Sequence, residues 1–448
     1  MTTKYVLTRR AALAGLAATG AVRRALAQPA VRKPATINYW TWSDNPSHHK
    51  MLVDSVEMFN KSQNFITVKL DADSKTMEER QKVVVAFAAG AAPDVAGSVQ
   101  THVQDWYETG MLHPVDEFFN KWDQKDDYFP SILPSMRSKP GQPLLYMPNR
   151  ILPYVLYYRA DWFDAAKLKP PVTYDDFIEA ARRMATPEHA GYALRGMDYY
   201  AVQPIEPIWG SAGVKFVDET GEVDFDSPAA VAVTEKWLGM YTKDHSAQPT
   251  AINDGYPQLF ALMEKSRAAM WLYGTHASPQ LMAAHGDKIQ AVPTPRVLDK
   301  NYMLANPEGE FILSSSKEKE AAWQFLTFLA GGQPDQWLSM DRGYLPVRKS
   351  ASSDPRIEAN RFFKLAISQS ATWWTPPFSS KNWANYQDKI APYWQQALRQ
   401  EISPKEWNAQ GPGRLRVPLL WGDLLAPRQL AVGRDLVLGV RPVLRRER

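Results

Sequence analysis

Residues 35–42 read ATINYWTW, residues 66–70 read ITVKL and residues 91–96 read AAPDVA. The first two stretches are rich in β-branched and aromatic residues and predict strands, and the third predicts a turn into a short strand. Apolar residues at helical spacing predict helices over residues 48–61 and 78–89. The order strand, helix, strand, helix, strand predicts a parallel sheet covered by helices, which is an α/β fold.

The N-terminus has the pattern of an export signal. Thr8-Arg9-Arg10 precedes a run of small apolar residues, 11–22, and Ala25-Leu26-Ala27 follows. A run of about twelve residues is too short to span a bilayer, so residues 1–27 are predicted to be a signal peptide cleaved before Gln28. The paired arginines resemble a twin-arginine signal. We therefore expect a protein that works outside the cytoplasm, without ATP or NAD; an ordinary basic N-terminus of a cytoplasmic protein is the alternative.

Composition excludes several chemistries. The chain has no cysteine, which rules out disulfides, thiolate metal sites, a cysteine nucleophile and a lipid anchor on cysteine. Its formal charge of +4 comes from the two ends, because residues 28–410 hold 39 basic and 45 acidic groups. We see no clustered basic face, so no nucleic-acid partner is expected. The nucleophile-elbow, zinc and P-loop motifs are absent, and we predict no catalytic residue, no metal and no cofactor.

Aromatic residues are unusually numerous, with 16 Trp, 19 Tyr and 17 Phe in 448 residues. Most such rings fill cores because each buries a large area. Several here lie beside Gly, Pro or Asp rather than in periodic segments, as Trp42 and Trp209 do. The apolar faces of a sugar ring could stack on such side chains. A glycosidase stays open as an alternative, because it needs only two carboxylates roughly 5 to 9 Å apart.

Seven sequence segments in register suggest a family. The resemblance covers about residues 35–406, and the segments are 87–95 (FAAGAAPDV), 106–116 (WYETGMLHPVD), 156–163 (LYYRADWF) with 170–177 (PPVTYDDF), 225–231 (FDSPAAV), 265–274 (KSRAAMWLYG), 316–329 (SKEKEAAWQFLTFL) and 343–348 (GYLPVR). Together they resemble the bacterial extracellular solute-binding proteins of the carbohydrate type, which are the capture subunits of ABC importers.

The resemblance implies a two-lobed periplasmic-binding-protein fold of type II, with lobes joined by several hinge crossings. The predicted N-terminal lobe comprises residues 35–148 and 276–308, and the C-terminal lobe 153–270 and 315–406. The lobes would close over one small solute, and the closed monomer would deliver it to an ABC permease in the inner membrane. A sugar, oligosaccharide or polyol is favoured by the aromatics. A glycerol-phosphate-like ligand, for which Arg150 and Arg342 are the residues to watch, or a polyamine, anion or peptide is the alternative.

Candidate ligand-binding residues follow from two arguments. The carboxyl ends of the first and third strands should bring Trp42, Asp44, Ser98 and Gln100 to the cleft. The implied crossings and the loops that should face the cleft add a second set: Asn149, Trp209, Trp271, Tyr273, Gly274, Tyr344, Trp373 and Trp383. Loop packing and a helix cap are the alternatives for Trp42 and Asp44, and of the pair Trp373-Trp374 we expect one ring to stack on ligand and one to pack.

The C-terminal tail departs from the family pattern. Gly411-Pro412-Gly413 interrupts the expected final helix, and residues 411–448 are basic and rich in Leu, Val, Pro and Gly. We predict a poorly ordered tail that arises from a shifted reading frame or a gene-end error; a genuine extension that docks on another protein is the alternative.

Overall fold

A computed structural model describes residues 34–43, 46–74, 76–99, 103–137, 141–216, 225–331, 343–375 and 383–410. The predicted signal peptide, the tail 411–448 and the candidate residues Asp44, Gln100 and Arg342 lie outside these ranges. For Ser98 and Trp383 only the backbone is described.

In the part of the chain that the structure describes, ten strands form one mixed sheet. Their bounds are β1 Ala35–Trp42, β2 Ile66–Ser74, β3 Val95–Val99, β4 Met147–Arg159, β5 Ala190–Tyr192, β6 Ala268–Gly274, β7 Ile289–Val292, β8 Met303–Ile312, β9 Leu345–Pro346 and β10 Trp373–Trp374. The order along the sheet is β2-β1-β3-β8-β4-β6-β5, with β10 paired to β8 and both β7 and β9 paired to β4.

Helices cover the sheet. The α-helices are α1 Pro46–Ser62, α2 Thr76–Ala88, α3 Val103–Glu108, α4 Asp116–Lys121, α5 Ala160–Ala165, α6 Tyr174–Met184, α7 Glu206–Ser211, α8 Pro228–Thr242, α9 Tyr256–Glu264, α10 Ser278–His285, α11 Lys319–Gly331, α12 Pro355–Ala359, α13 Arg361–Ser368, α14 Trp383–Leu398 and α15 Pro404–Gln410. Short 3-10 helices lie at Lys125–Asp127, Leu133–Met136, Tyr199–Ala201, Ala251–Asn253, Thr275–Ala277, Gly286–Lys288, Lys349–Ser353 and Ser370–Thr372. Among the helices of the described residues, none is long and apolar enough to cross a membrane.

The first three strands have the predicted parallel pairing. β1 lies between β2 and β3 and runs parallel to both. Its residues alternate between buried and exposed over most of their length, as expected for a strand with one face on the core. The sheet then reverses, because β8 pairs antiparallel with β3 and with β4. The sequence pattern of the first strands did not predict this antiparallel centre.

Strand β4 joins two parts of the sheet. Its first half, 147–153, pairs with β8, whereas its second half, 154–159, pairs with β6 and β7. Nearly the whole strand is buried. Gly309 of β8 allows this close pairing, because a Cβ there would overlap the carbonyl oxygen of Met147. The strand therefore provides a continuous crossing between the two parts.

Two segments contact residues that the resemblance assigns to the other lobe. Residues 289–292, expected in the first lobe, pair with the second half of β4. Phe325 in α11, expected in the second lobe, has its ring 5.1 Å from the rings of both Tyr39 in β1 and Phe59 in α1.

Candidate ligand-binding site

Buried polar groups are linked across β1, β4 and β8. The Tyr39 hydroxyl donates to Glu310 Oε1 at 3.0 Å, and the Asn149 amide donates to Glu310 Oε2 at 2.7 Å. Arg150 then donates to the Asn149 oxygen at 3.0 Å and, through Nε, to Glu308 Oε2 at 2.9 Å. We call these five residues the polar seam. It places the predicted residue Asn149 inside a network of charged side chains.

The seam continues into the segment that carries Tyr344. The Tyr344 hydroxyl donates to Glu308 Oε1 at 3.3 Å, and the Arg150 guanidinium lies 5.9 Å from the centre of the Tyr344 ring. The Tyr344 ring also stacks beside His276, with 6.3 Å between ring centres. Gly343, at a φ of 81°, makes this arrangement possible, because a Cβ there would overlap the backbone of His276. Tyr344 is therefore held between the seam and His276.

An aromatic wall lies on the other side of His276. Tyr273 is 5.1 Å from His276 and stacks on Trp271 at 4.3 Å with an angle of 6° between the rings. Tyr256 stacks on Tyr273 at 5.4 Å. A Cβ at Gly274 would lie 2.7 Å from His276 Nδ1, so this glycine makes room for the imidazole. Trp271 itself is buried beneath the Tyr273 ring.

A loop that we did not predict reaches the same wall. Arg195 is buried and donates to the Tyr273 hydroxyl at 3.3 Å and to Asp198 Oδ2 at 2.6 Å. Asp198 has a φ of 59°, and its other oxygen accepts from the Tyr200 backbone N–H at 2.9 Å. The Tyr200 ring covers the Arg195 guanidinium at 5.1 Å and is 42% exposed. Non-glycine residues with positive φ are uncommon and cluster at ligand-binding sites.

Electrostatics in the site are dominated by burial and by the carboxylates. Burial tends to lower the pKa of Arg150, but attraction to Glu308 and then Glu310 outweighs it, and the pKa lies above its ordinary value. Burial raises the pKa of Tyr39, and the nearby charge of Glu310 adds to the rise. Burial likewise raises the pKa of Tyr273, and Arg195 opposes that rise. Arg150 is therefore charged and both hydroxyls are protonated at neutral pH.

The structure brings five of the predicted residues together along the seam and the wall. They are Asn149, Trp271, Tyr273, Gly274 and Tyr344. Trp42 ends β1 and is buried, with its ring 6.0 Å from His48. Ser98 lies in β3, with its backbone paired to Gly309, and Trp383 begins α14.

Trp209 and Trp373 lie in the core, as Trp271 does. We expected Trp209 in a loop that faces the cleft, but it lies in helix α7 and is fully buried against Phe225 and Trp407. Trp373 pairs with β8, and its indole donates to the Ala366 carbonyl at 3.0 Å. Trp374, its neighbour, is half-buried. The loop placement of Trp209 is therefore corrected: Pro207 and Gly210 flank it within a helical turn.

Of the polar residues that we missed, Arg195 had a weak but usable signal. Arg195 follows β5, and the rule that ligands bind at the carboxyl ends of strands would have selected its loop. Glu308 and Glu310 had no such signal, because they lie within an antiparallel strand. Within the described ranges, no group of three or more His, Asp or Glu could hold a metal ion.

Solved structures with the same fold are periplasmic binding proteins. The maltose-bound MalE3 of T. maritima superposes with a TM-score of 0.72 at 19% identity, over 84% of this chain and 98% of that one. A solute-binding protein of an ABC transporter from Thermotoga lettingae, bound with alpha-D-tagatose, superposes with a TM-score of 0.71 at 20% identity, over 84% and 97%. The chain therefore has the two-lobed α/β fold of the periplasmic binding proteins.

The family is established by sequence. The profile of the bacterial extracellular solute-binding proteins matches residues 46–333, and the chain belongs to this family. Among curated proteins, a maltotriose-binding protein of Pyrococcus abyssi is 23% identical over 296 residues. That match covers 61% of this chain and 59% of the relative, so the chain spans about three fifths of the relative's length. The family and these structural neighbours are binding proteins.

Proposed function

We propose that this protein is the substrate-binding subunit of an ABC importer and that it captures a sugar, oligosaccharide or polyol in the periplasm. The observation that carries the proposal is the seam and wall at the crossing of β4, where hydrogen-bonding side chains adjoin aromatic rings. Sugars need both, because their hydroxyls require polar partners and their C–H faces pack on rings. The relatives that bind maltotriose, maltose and tagatose support this choice.

The ligand contacts that we propose lie beside Arg195. Tyr200 offers an exposed aromatic face, and Asp198 offers a carboxylate already oriented by Arg195 and by the Tyr200 N–H. Tyr344 and His276 supply a second pair of rings on the side of β8. A ligand between the two sets would be hydrogen-bonded from one side and stacked from the other. Such preorganised side chains lose little entropy on binding.

Capture requires two lobes that move. We propose a first lobe of residues 35–148 with 303–350 and a second of 153–302 with 355–406, which follows the observed packing of β7 and α11. A ligand that contacts both lobes only when they are closed shifts the open–closed equilibrium by its difference in affinity. The closed monomer would then present its solute to the permease. We also propose that the chain is exported by the predicted signal, is not lipid-anchored and turns over no substrate.

A screen by thermal shift tests the function. Maltose, maltotriose, D-tagatose, polyols and polyamines would be added to the purified protein, and a ligand at a hundred times its Kd should stabilise the native state by about 2.7 kcal/mol. X-ray scattering with the best ligand should show a smaller radius of gyration, and chromatography should show the ligand unchanged. The proposal fails if no sugar or polyol binds, if dimensions stay the same, or if the sugar is hydrolysed.

A further inference from the structure

We propose that Thr275 is a positioning residue of the ligand-binding site. Its hydroxyl holds the backbone of Gly343, and this contact sets the Tyr344 ring against the ring of His276. The proposal rests on the proposed function, in which these two rings form one side of the site. It assigns a role in binding to a fully buried side chain that acts through Tyr344.

The Thr275 hydroxyl links two segments that are 68 residues apart in the chain. Thr275 begins the 3-10 helix Thr275–Ala277, directly after β6, and its hydroxyl donates to the Gly343 carbonyl at 2.7 Å. Thr275 is 0% exposed and Gly343 is also buried. Loss of a donor to a buried carbonyl costs free energy. The hydrogen bond therefore favours one position of the backbone at Gly343.

The two segments also touch through their backbones at this point. A Cβ at Gly343 would lie 2.4 Å from His276 Cα and 2.7 Å from the Thr275 carbonyl oxygen, so only glycine allows the approach. Tyr344 follows directly on one segment and His276 on the other. Their rings lie 6.3 Å apart with an angle of 25° between them. The contact at Gly343 thus brings the two rings together.

The backbone after Tyr344 is fixed by the sheet. Leu345 and Pro346 form β9, which pairs with β4 at Ile151 and Arg150. The Thr275 hydroxyl supplies the corresponding hold before Tyr344, through the Gly343 carbonyl. A side chain whose backbone is held on both sides loses little freedom when a ligand packs on it, and this favours binding.

The same contact joins the two proposed lobes, because Thr275 belongs to the second lobe and Gly343 to the first. A change at Thr275 therefore has two routes to ligand affinity: it moves the Tyr344 ring, or it shifts the equilibrium between open and closed lobes. An effect that passes through the Tyr344 ring disappears when that ring is removed, whereas an effect on the lobes persists. A double-mutant cycle separates the two routes.

Calorimetric titrations of the full chain with maltose, maltotriose and D-tagatose would measure the cycle. We expect Thr275→Val to raise the Kd of a sugar that binds by about fivefold, which corresponds to about 1 kcal/mol, and to have no further effect in a Tyr344→Ala protein. Thr275→Ser keeps the hydroxyl and should restore the Kd. Thr234→Val is the matched control and should leave the Kd unchanged, because Thr234 is equally buried and its hydroxyl donates to the Ala230 carbonyl at 2.8 Å, within α8.

A measurement without ligand tests the position of the ring directly. With 3-fluorotyrosine at position 344, the fluorine NMR resonance should be the same in the unaltered and Thr275→Ser proteins and shifted or broadened in Thr275→Val. Thr275→Ala removes the hydroxyl without adding bulk and replaces the valine variant in both experiments if that variant does not fold.

Three results would overturn the role of Thr275. An unchanged Kd in folded Thr275→Val shows that binding does not need the hydroxyl. An equal effect with and without the Tyr344 ring shows that Thr275 acts on lobe closure instead. An unchanged fluorine resonance shows that the ring is held without Thr275, and it decides the matter alone if the double variant binds too weakly to measure.

None of these three results contradicts capture of a sugar by the unaltered protein. Failure of all three sugars to bind that protein, together with failure of the polyols in the thermal-shift screen, overturns the proposed function and the role of Thr275 with it.

Discussion

The polar seam and the tryptophan cluster around Trp209 use similar aromatic residues for different ends. In the seam, tyrosine hydroxyls donate to carboxylates, as Tyr39 does to Glu310. In the cluster, rings pack on rings: Trp209 lies 4.7 Å from Phe225 and 5.7 Å from Trp407, and Trp394 packs edge-on to Trp407 at 5.1 Å. The seam thus orients polar groups at the crossing of β4, whereas the cluster excludes water from one part of the core.

This difference predicts two kinds of mutant. Changes in the cluster should lower the free energy of unfolding and leave ligand affinity per folded molecule intact. Changes in the seam should alter both, because the same side chains hold β4 to β8 and support Tyr344. The effects that follow are ordered from the largest to the smallest.

Trp209→Ala should have the largest effect on stability. The indole is fully buried, so its loss removes a large apolar area and leaves a cavity. We expect the free energy of unfolding to fall by about 3 to 5 kcal/mol, measured by urea denaturation. Trp374→Ala, at a half-buried ring, is the control and should cost less. A stable Trp209→Ala protein that no longer binds sugar would reverse the contrast between cluster and seam.

Arg150→Met should destabilise the protein by about 3 kcal/mol, because it removes a buried cation that attracts both Glu308 and Glu310. Arg150→Lys keeps the charge and should be milder. Equal stability of Arg150→Met and the unaltered protein from pH 4 to pH 8 would show that the seam is not held by charge.

The sequence predicted the fold far better than it predicted the seam. The alternation in β1 and the helical spacing of the following segment are local patterns, and the structure extends both by only a few residues at most. The partner of Arg150 is 158 residues away, in a strand whose antiparallel pairing no local pattern indicates. This is why Arg150 was considered for a phosphate ligand, although its charge is already paired with Glu308.

The aromatic residues show the same limit in another form. Trp209 and Tyr273 both precede a glycine, and the sequence offered no means to separate them. Only their packing distinguishes the two residues. Trp209 is enclosed by other rings, whereas the Tyr273 hydroxyl accepts a hydrogen bond from Arg195. Asp44, Gln100 and Trp383 remain predicted ligand-binding residues.

Tyr344→Phe isolates one hydrogen bond of the seam. The change removes the donor to Glu308 and keeps the ring beside His276. We expect stability to fall by about 1 kcal/mol, as for a typical hydrogen bond, and the Kd for the best sugar to rise severalfold. Chemical denaturation and calorimetry would measure the two effects. Tyr241→Phe, at another half-buried tyrosine, controls for the loss of a hydroxyl. Equal changes in stability and Kd in the two variants would mean that the hydrogen bond from Tyr344 to Glu308 has no special role in binding.

Glu79 can be compared with Glu308. Its carboxylate is buried beside a lysine, whereas the carboxylate of Glu308 is paired with an arginine. It is 2% exposed in α2, and its nearest cation among the described residues is Lys82, at 3.7 Å. Burial raises its pKa, and Lys82 offsets this only in part. A carboxyl group whose folded pKa is raised stabilises the protein fully below its unfolded pKa, and that contribution is lost as pH rises through the folded pKa.

Glu79→Gln should therefore stabilise the protein at pH 7, by less than Tyr344→Phe destabilises it. The gain should disappear as pH falls below about 4, where the carboxyl group of the unaltered protein is protonated in both states. Unfolding in urea between pH 3.5 and pH 7 would follow the difference, with Glu78→Gln, at the exposed neighbour, as control. A loss of stability at pH 7 would mean that the attraction of Lys82 exceeds the cost of burial. In that case burial of a carboxylate would not by itself explain why the seam contains Arg150.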